Sequence, residues 1–451
     1  MSSILTKYSA AGRIMRVMSV FSGVRVLIIL CSLVRNKLIA WLIGPAGLGL
    51  VMLYNSLTEL IGQASRLSIE QSAQRDISCA SSSQVSTAQT VVRRWALWLG
   101  IVGMLIMCLL SPLLSYISFD SVDRWPTFCL LSLVPLFYAT SSCINTENQG
   151  LRRFKALALS NIWAAITGLV ITVPLIIWLR ITSIAWIIVT YAVASWATAM
   201  IYRPRIDKVN LKRKEIVEKG FSFIKLGIYI TTGIAITQTC SYVFVLFLNN
   251  YASTDILGIY QSGFTVMNSY VGIIFTALWM EYYPRLAALS HSPKRTSLAA
   301  SHEVRLSLMV ITPLLCLLIL CVQFVIRLVY TSEFMAIAPY IVVACIGVIF
   351  RTLSWCQAYV ILARGDGRVY LMAEILSNIV GLSANVAGYL WGGFLGLGIA
   401  YLIWYASYTV IVGIICHRKY KVTYSAGTWG IAGVSLAVVT CTAVIYYLWH
   451  C

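Results

Sequence analysis

About thirteen apolar stretches, each long enough to cross ~30 Å of hydrocarbon, follow one another along this chain. Basic residues crowd into only every second gap between them. Lipid offers the backbone no hydrogen-bond partner, so apolar runs of this length are helices. The stretches are 17–43, 48–70, 95–118, 127–149, 156–179, 184–202, 221–249, 258–283, 303–330, 336–362, 369–390, 395–416 and 427–449. With mean hydropathy +0.83 and 11% charged residues, a soluble domain is excluded.

The net charge of +19 suits nucleic acid in amount but not in placement. Roughly 24 of the basic residues fall on the side of the N-terminus and roughly 2, Arg124 and Arg180, on the other. That asymmetry predicts a cytoplasmic N-terminus and assigns the charge to topology and lipid headgroups. The 13 cysteines lie mostly singly within apolar runs, with no CxxC pair, and the 4 histidines lack ligand spacing, so no metal site and no cofactor are expected. The polar start MSSILTKYSAAGRIMR predicts no cleavable signal peptide.

The most charged stretch, 203–220, reads as a linker between two halves. Placing Gly49 on Gly258 aligns two helix pairs, with GPAGLG on STDILG and Arg16 on Lys225. A second echo follows in the same order, ALALSNI (156–162) on AEILSNI (373–379). Six spans per half return the chain to its starting side, so the halves are predicted to be parallel repeats. The expected organisation is an N-lobe at 1–202, a basic linker at 203–220, a C-lobe at 221–416 and an additional helix within 417–451.

Ionisable groups at membrane depth cost a few kcal/mol each and therefore face a partner or water. On the second span Asn55, Glu59, Gln63, Arg66 and Glu70 fall at helical spacing on one face. The first span places Arg25 and Arg35 on a shared face, whereas Lys37 points away, toward the outer interface. Lys225 on the seventh span and Asn268 on the eighth repeat the style, Asn268 at the position equivalent to Glu59. Arg351 and Glu374 stand on the tenth and eleventh spans. Glu147 and Arg305, near span ends, read as glue between helices. The excess of Arg25, Arg35, Arg66 and Lys225 over Glu59 and Glu70 predicts an anion-attracting cavity lined by the first, second, seventh and eighth spans. Arginine suits phosphate because its planar fork bonds two oxygens at once.

The stretch RNKLIAWLIGPAGLGLVMLYNSLTELI (35–61) resembles the first-to-second helix region of Wzx-type O-antigen and polysaccharide-repeat flippases. These belong to the multidrug/oligosaccharidyl-lipid/polysaccharide (MOP) exporter superfamily. The resemblance implies an all-α polytopic membrane protein with 12 core helices in two six-helix lobes around a V-shaped cavity; the helix near 427–449 is extra. It further implies that the chain is not an enzyme and moves an undecaprenyl-diphosphate-linked oligosaccharide across a bacterial inner membrane by alternating access. Arg25, Arg35, Arg66, Lys225, Asn268 and Arg351 would hold the substrate. Glu59, Glu70, Glu281 and Glu374 would couple transport to H+ or Na+. A polysaccharide polymerase and a chain-length regulator are the implied protein partners. A cation-coupled multidrug antiporter of the same superfamily is the nearest alternative, but the first span carries arginines and no acid. A membrane polymerase or glycosyltransferase fits less well, because outer gaps this short carry no acid pair or nucleophile.

Overall fold

Every element among the described residues of the computed structural model is helical, as a backbone in hydrocarbon requires. The structure describes residues 23–24, 26–67, 77, 82–151, 153–205, 213–289 and 292–450. Within these, the side chains of 82–84, 213, 219–220, 222–230, 269–271, 273–274, 276–281, 283–285, 287–288 and 450 are not described. Helix α1 (26–42) is followed by α2 (Pro45–Arg66), α3 (Ser82–Leu109), α4 (Ser111–Phe119), α5 (Trp125–Leu131), α6 (Leu133–Gly150), α7 (Phe154–Leu179) and α8 (Ser183–Ile201). Then come α9 (Arg213–Phe247), α10 (Thr254–Leu289), α11 (Pro293–Leu320), α12 (Val322–Val329), α13 (Ala338–Ala363), α14 (Gly367–Tyr420) and α15 (Ala426–His450).

Helix existence follows the apolar pattern, and local chemistry sets the breaks. The expected span 95–118 is divided at Leu110, where Pro112 opens a new helix and the Ser111 hydroxyl bonds the Cys108 carbonyl at 2.7 Å. Spans 127–149 and 303–330 are likewise divided, at Ser132 and Cys321. The 48-residue stretch Phe154–Ile201 turns at Arg180, whose φ is +47°, so that α7 packs along α8. The 54-residue α14 contains two non-helical residues, Gly392 and Gly393, and Gly393 has φ +55°. Past that bend the chain doubles back. Trp404 Nε1 donates to Ser377 Oγ at 2.9 Å, the Tyr408 hydroxyl donates to Glu374, and Gly388 meets Gly396 backbone to backbone. The two predicted spans 369–390 and 395–416 are thus the arms of one hairpin. At its base Lys419 Nζ lies 2.5 Å from Asp366 Oδ2, and the Tyr420 hydroxyl donates to the same oxygen at 2.9 Å. The Lys419 hydrogen bond holds the Asp366 carboxyl below its usual range.

The chain divides into two compact units, Met1–Ile43 with Leu53–Ala235 and Gly44–Met52 with Ile236–Cys451. In the first unit, Glu147 on α6 is fully buried and accepts from Arg93 Nε at 2.7 Å and Nη2 at 2.5 Å. Gln89 Nε2 adds a third donor at 3.3 Å, and Arg93 Nη2 also reaches the Pro204 carbonyl. This pair ties α3 to α6 and to the end of α8.

In the second unit, α15 runs parallel to α11, with contacts in step from Ser301 to Ser425 through Cys316 to Thr442, continued on α12 by Gln323 to Tyr446. Arg305 is part of that seam: its Nε donates to Thr428 at 3.1 Å and its Nη2 to Ser425 at 3.0 Å. A second backbone-to-backbone approach in this unit joins the start of α2 to the start of α10. A β-carbon on Gly49 would stand 2.0 Å from the Thr254 carbonyl oxygen, and one on Gly258 would stand 1.8 Å from that of Pro45. Pro45 is to Thr254 as Gly49 is to Gly258, at the same offset of about 209 residues that aligns the two halves. The two contacts are therefore images of one another.

Gly49→Ala and Gly258→Ala are each expected to cost at least about 2 kcal/mol, because backbone and not a flexible side chain occupies the space. A thermal-stability assay on the purified protein checks this. Glu147→Gln, which strips Arg93 of its buried counter-charge, is expected to cost about 3 kcal/mol in the same assay. The depressed Asp366 pKa means that its clamp is complete above the free carboxylate value of about 4 and is lost as pH falls through the depressed one. Amide exchange around residues 366–370 should accelerate only on that acid side, and the acceleration should be absent in Asp366→Asn.

Candidate functional site

Two groups of polar side chains gather, one in each unit. In the first unit Arg35 of α1 lies over the ring of Tyr191 on α8, 5.3 Å from its centroid. Cys31, Ser32, Ala165 and Leu169 complete that contact. Tyr138 on α6 lies within electrostatic reach of Tyr191, Arg35, Glu59 and Arg66, so α1, α2, α6 and α8 bring these charges to one neighbourhood. On α2 the opposite face is buried through Tyr54, Leu57 and Thr58, whereas Glu59 is exposed and Asn55, Gln63 and Arg66 are half-buried. The stripe read from spacing is thus the open face of its helix. Arg25 and Glu70 lie outside the described residues, and the side chains of Lys225 and Glu281 do likewise.

The second unit holds two adjoining chambers of about 210 and 220 Å³. They share a wall made of Thr237, Arg351, Asn378, Trp404 and Tyr405. Arg351 comes from α13. Its Nη1 donates to the Tyr401 hydroxyl at 3.1 Å, and its guanidinium lies 5.4 Å from the centroids of both Phe275 and Tyr405. Aromatic faces attract a cation without neutralising it, so Arg351 keeps its charge and is held in place. It makes no ion pair with Glu374, which lies in the neighbouring chamber.

The first chamber adds Gln238 and Ser241 from α9, Asn268 from α10, and Asn385 from α14. These are short, neutral donors and acceptors. Its apolar surface is aromatic: Phe244, Tyr260, Phe264, Tyr340 and the flat pair Trp404–Tyr405, whose rings stack at 5.1 Å with an interplanar angle of 24°. The second chamber contains Glu374 of α14, which accepts from the Tyr408 hydroxyl and is also bonded to Tyr370. Asn378 links the chambers, donating to Thr237 Oγ1 at 3.0 Å and to the Glu374 carbonyl at 2.8 Å. The arrangement offers a fixed cation, a carboxyl that can gain or lose a proton, amides for hydroxyl groups and flat rings for stacking.

Of the sequence-predicted substrate residues, Asn268 and Arg351 share one chamber, and Arg35 and Arg66 share one neighbourhood. Glu374 stands in the chamber beside Arg351. The aromatic wall was missed from sequence. Its signal is nonetheless present, because Tyr401, Trp404, Tyr405 and Tyr408 recur at steps of three, one and three along YLIWYASY, one face of a helix.

The sequence model of a family described as polysaccharide biosynthesis protein matches residues 38–339. No curated protein sequence matches the chain. Among solved structures, the chain resembles the inward-facing form of a multidrug resistance MATE family transporter of the MOP superfamily. The TM-score is 0.73 at 12% identity, over 89% of this chain and 98% of that one. It resembles the lipid II flippase MurJ in an inward closed conformation with TM-score 0.72 and 12% identity, over 96% of this chain and 97% of that one. A MOP superfamily transporter from Pyrococcus furiosus, described as having a binding pocket of reversed polarity, gives TM-score 0.65 at 12% identity, over 90% and 95%. At these identities the likeness establishes the fold, which is that of MOP transporters.

Proposed function

The chain belongs to the polysaccharide biosynthesis protein family, and from that premise we propose that it is a flippase for a lipid-linked oligosaccharide. Its substrate in this reading is an undecaprenyl-diphosphate-linked polysaccharide repeat unit, carried from the cytoplasmic to the periplasmic leaflet of a bacterial inner membrane by alternating access. The observation that carries the reading is Arg351, a cation fixed by three aromatic residues in a chamber otherwise lined with amides and flat rings. A diphosphate needs a cation that it does not share with a carboxylate, and a sugar needs hydrogen-bonding groups beside a stacking surface.

Arg351 takes a phosphate, while Asn268, Asn378 and Asn385 take sugar hydroxyls against Trp404 and Tyr405. Arg35, Arg66, Arg25 and Lys225 are the further cations of the first unit in this reading. Glu374, held by Tyr370 and Tyr408, carries the coupling proton or exchanges it for Na+, with Glu59, Glu70 and Glu281 as further acids on the route. A polymerase and a chain-length regulator receive the product. The likeness in fold to a multidrug transporter favours a second reading, a cation-coupled antiporter. Against it stands the first span, with arginines and no acid.

The test is deletion of the gene followed by measurement of lipid-linked repeat units on each leaflet. Accumulation on the cytoplasmic side is expected; an unchanged distribution would exclude the flippase. In complementation, Arg351→Gln is expected to lower surface polysaccharide at least ~10-fold at unchanged protein level, and Arg351→Lys to restore part of it. Normal polysaccharide in Arg351→Gln would remove that residue from the mechanism. Glu374→Gln is expected to abolish the dependence of transport on the ion gradient.

A further inference from the structure

Away from both chambers, the second unit has an open groove of about 490 Å³ between α11 and α15. Leu308, Met309 and Pro313 form one bank and Gly430, Ile431 and Val434 the other. Both helices are long and apolar enough to cross a membrane. Met309 and Val434 are 58% and 65% exposed, so the groove opens outward, where a spanning helix meets hydrocarbon. Gly430 forms part of its floor, and a β-carbon there would meet nothing within 4 Å.

One end of this groove is charged. Arg305 lies one turn before Leu308 and Met309 on α11, and its partner Thr428 follows Gly427, a groove residue, on α15. The Nε and Nη2 atoms of Arg305 are used by the hydroxyls of Thr428 and Ser425. Among the described residues Nη1 has no acceptor, and no carboxylate pairs with the guanidinium. A full positive charge facing only neutral oxygens, at the mouth of an apolar groove in a membrane, is built for an anion that carries an apolar chain.

We propose that this groove is a binding site for one anionic phospholipid, with its phosphate on Arg305 and an acyl chain laid over Gly430. Charge and length select this occupant. A single guanidinium with one free nitrogen matches a phosphodiester of one negative charge, not a diphosphate. From residue 427 to 435 the groove runs roughly 12 Å along α15, which fits much of an acyl chain and little of a long polyprenyl chain. A lipid so placed bridges the two helices: its phosphate sits on α11, and its chain fills the gap in front of α15. Unfilled, that gap would leave its lining short of contact partners. The proposal stands apart from the transport reading, since it uses none of the chamber residues.

The full chain is purified in mild detergent and exchanged against phosphatidylglycerol or phosphatidylcholine, and retained lipid is counted by native mass spectrometry. One phosphatidylglycerol per chain is expected, retained about tenfold better than phosphatidylcholine. Arg305→Gln should lower phosphatidylglycerol retention about tenfold, and Arg305→Lys should keep most of it. Because Arg305→Gln also weakens the seam to α15, Gly430→Trp provides the independent arm. It fills the groove from a position where a β-carbon would meet nothing within 4 Å, and should lower retention by a similar factor without lowering the melting temperature of the lipid-free protein. Equal retention of the two lipids overturns the proposal, as does unchanged phosphatidylglycerol retention in both Arg305→Gln and Gly430→Trp. Recovery of a polyprenyl-linked lipid or a second protein in place of phospholipid overturns it as well.

Discussion

What a charged group costs in hydrocarbon governs nearly everything in this molecule. Each ionisable residue inside a span has to be matched, surrounded by hydrogen bonds or left facing water, and the structure uses all three solutions. Arg93 and Glu147 neutralise each other in a buried, three-donor arrangement that joins helices and leaves nothing over. Arg305 is satisfied by hydroxyls on two of its nitrogens and stays charged. Arg351 is steadied by rings and one phenol, and its charge is likewise kept. Groups that cancel are structural, and groups held without cancellation are available to something else.

The crossing of α2 and α10 is the second constraint. Two glycines let two backbones touch, and the two contacts repeat one another at the offset that relates the halves of the chain. A duplication seen as a faint echo in sequence is thereby given a physical reason at one place. Both copies of the helix start need a residue without a side chain, since each is pressed against the other.

Much of this was legible beforehand. Apolar run length foretold the helices, including α15, because hydrocarbon leaves the backbone no alternative. Arg351, Glu374 and Glu147 announced themselves as charges inside apolar runs. The breaks were harder to read. Pro112 gave a visible cue, as did Pro135, which denies the Leu131 carbonyl its helical donor, but the bend at Cys321 falls inside apolar sequence with no comparable signal. The aromatic wall escaped for a different reason. Tyrosine and tryptophan in a span read as interface residues, and only the folding of α14 onto itself against α13 shows Tyr401, Trp404 and Tyr405 turned toward Arg351. Spacing gave the face of the helix but not what that face meets.

The doubled-back α14 is fastened at both extremities. Near the bend Gly388 and Gly396 touch through their backbones, and at the open end Lys419 and Tyr420 hold Asp366. Between these fastenings lie Glu374, Asn378 and Trp404, cross-linked to each other's arm or to α9. Such a piece is braced along its length, so that Trp404 on the shared wall and Glu374 beside it are held by the same pair of arms.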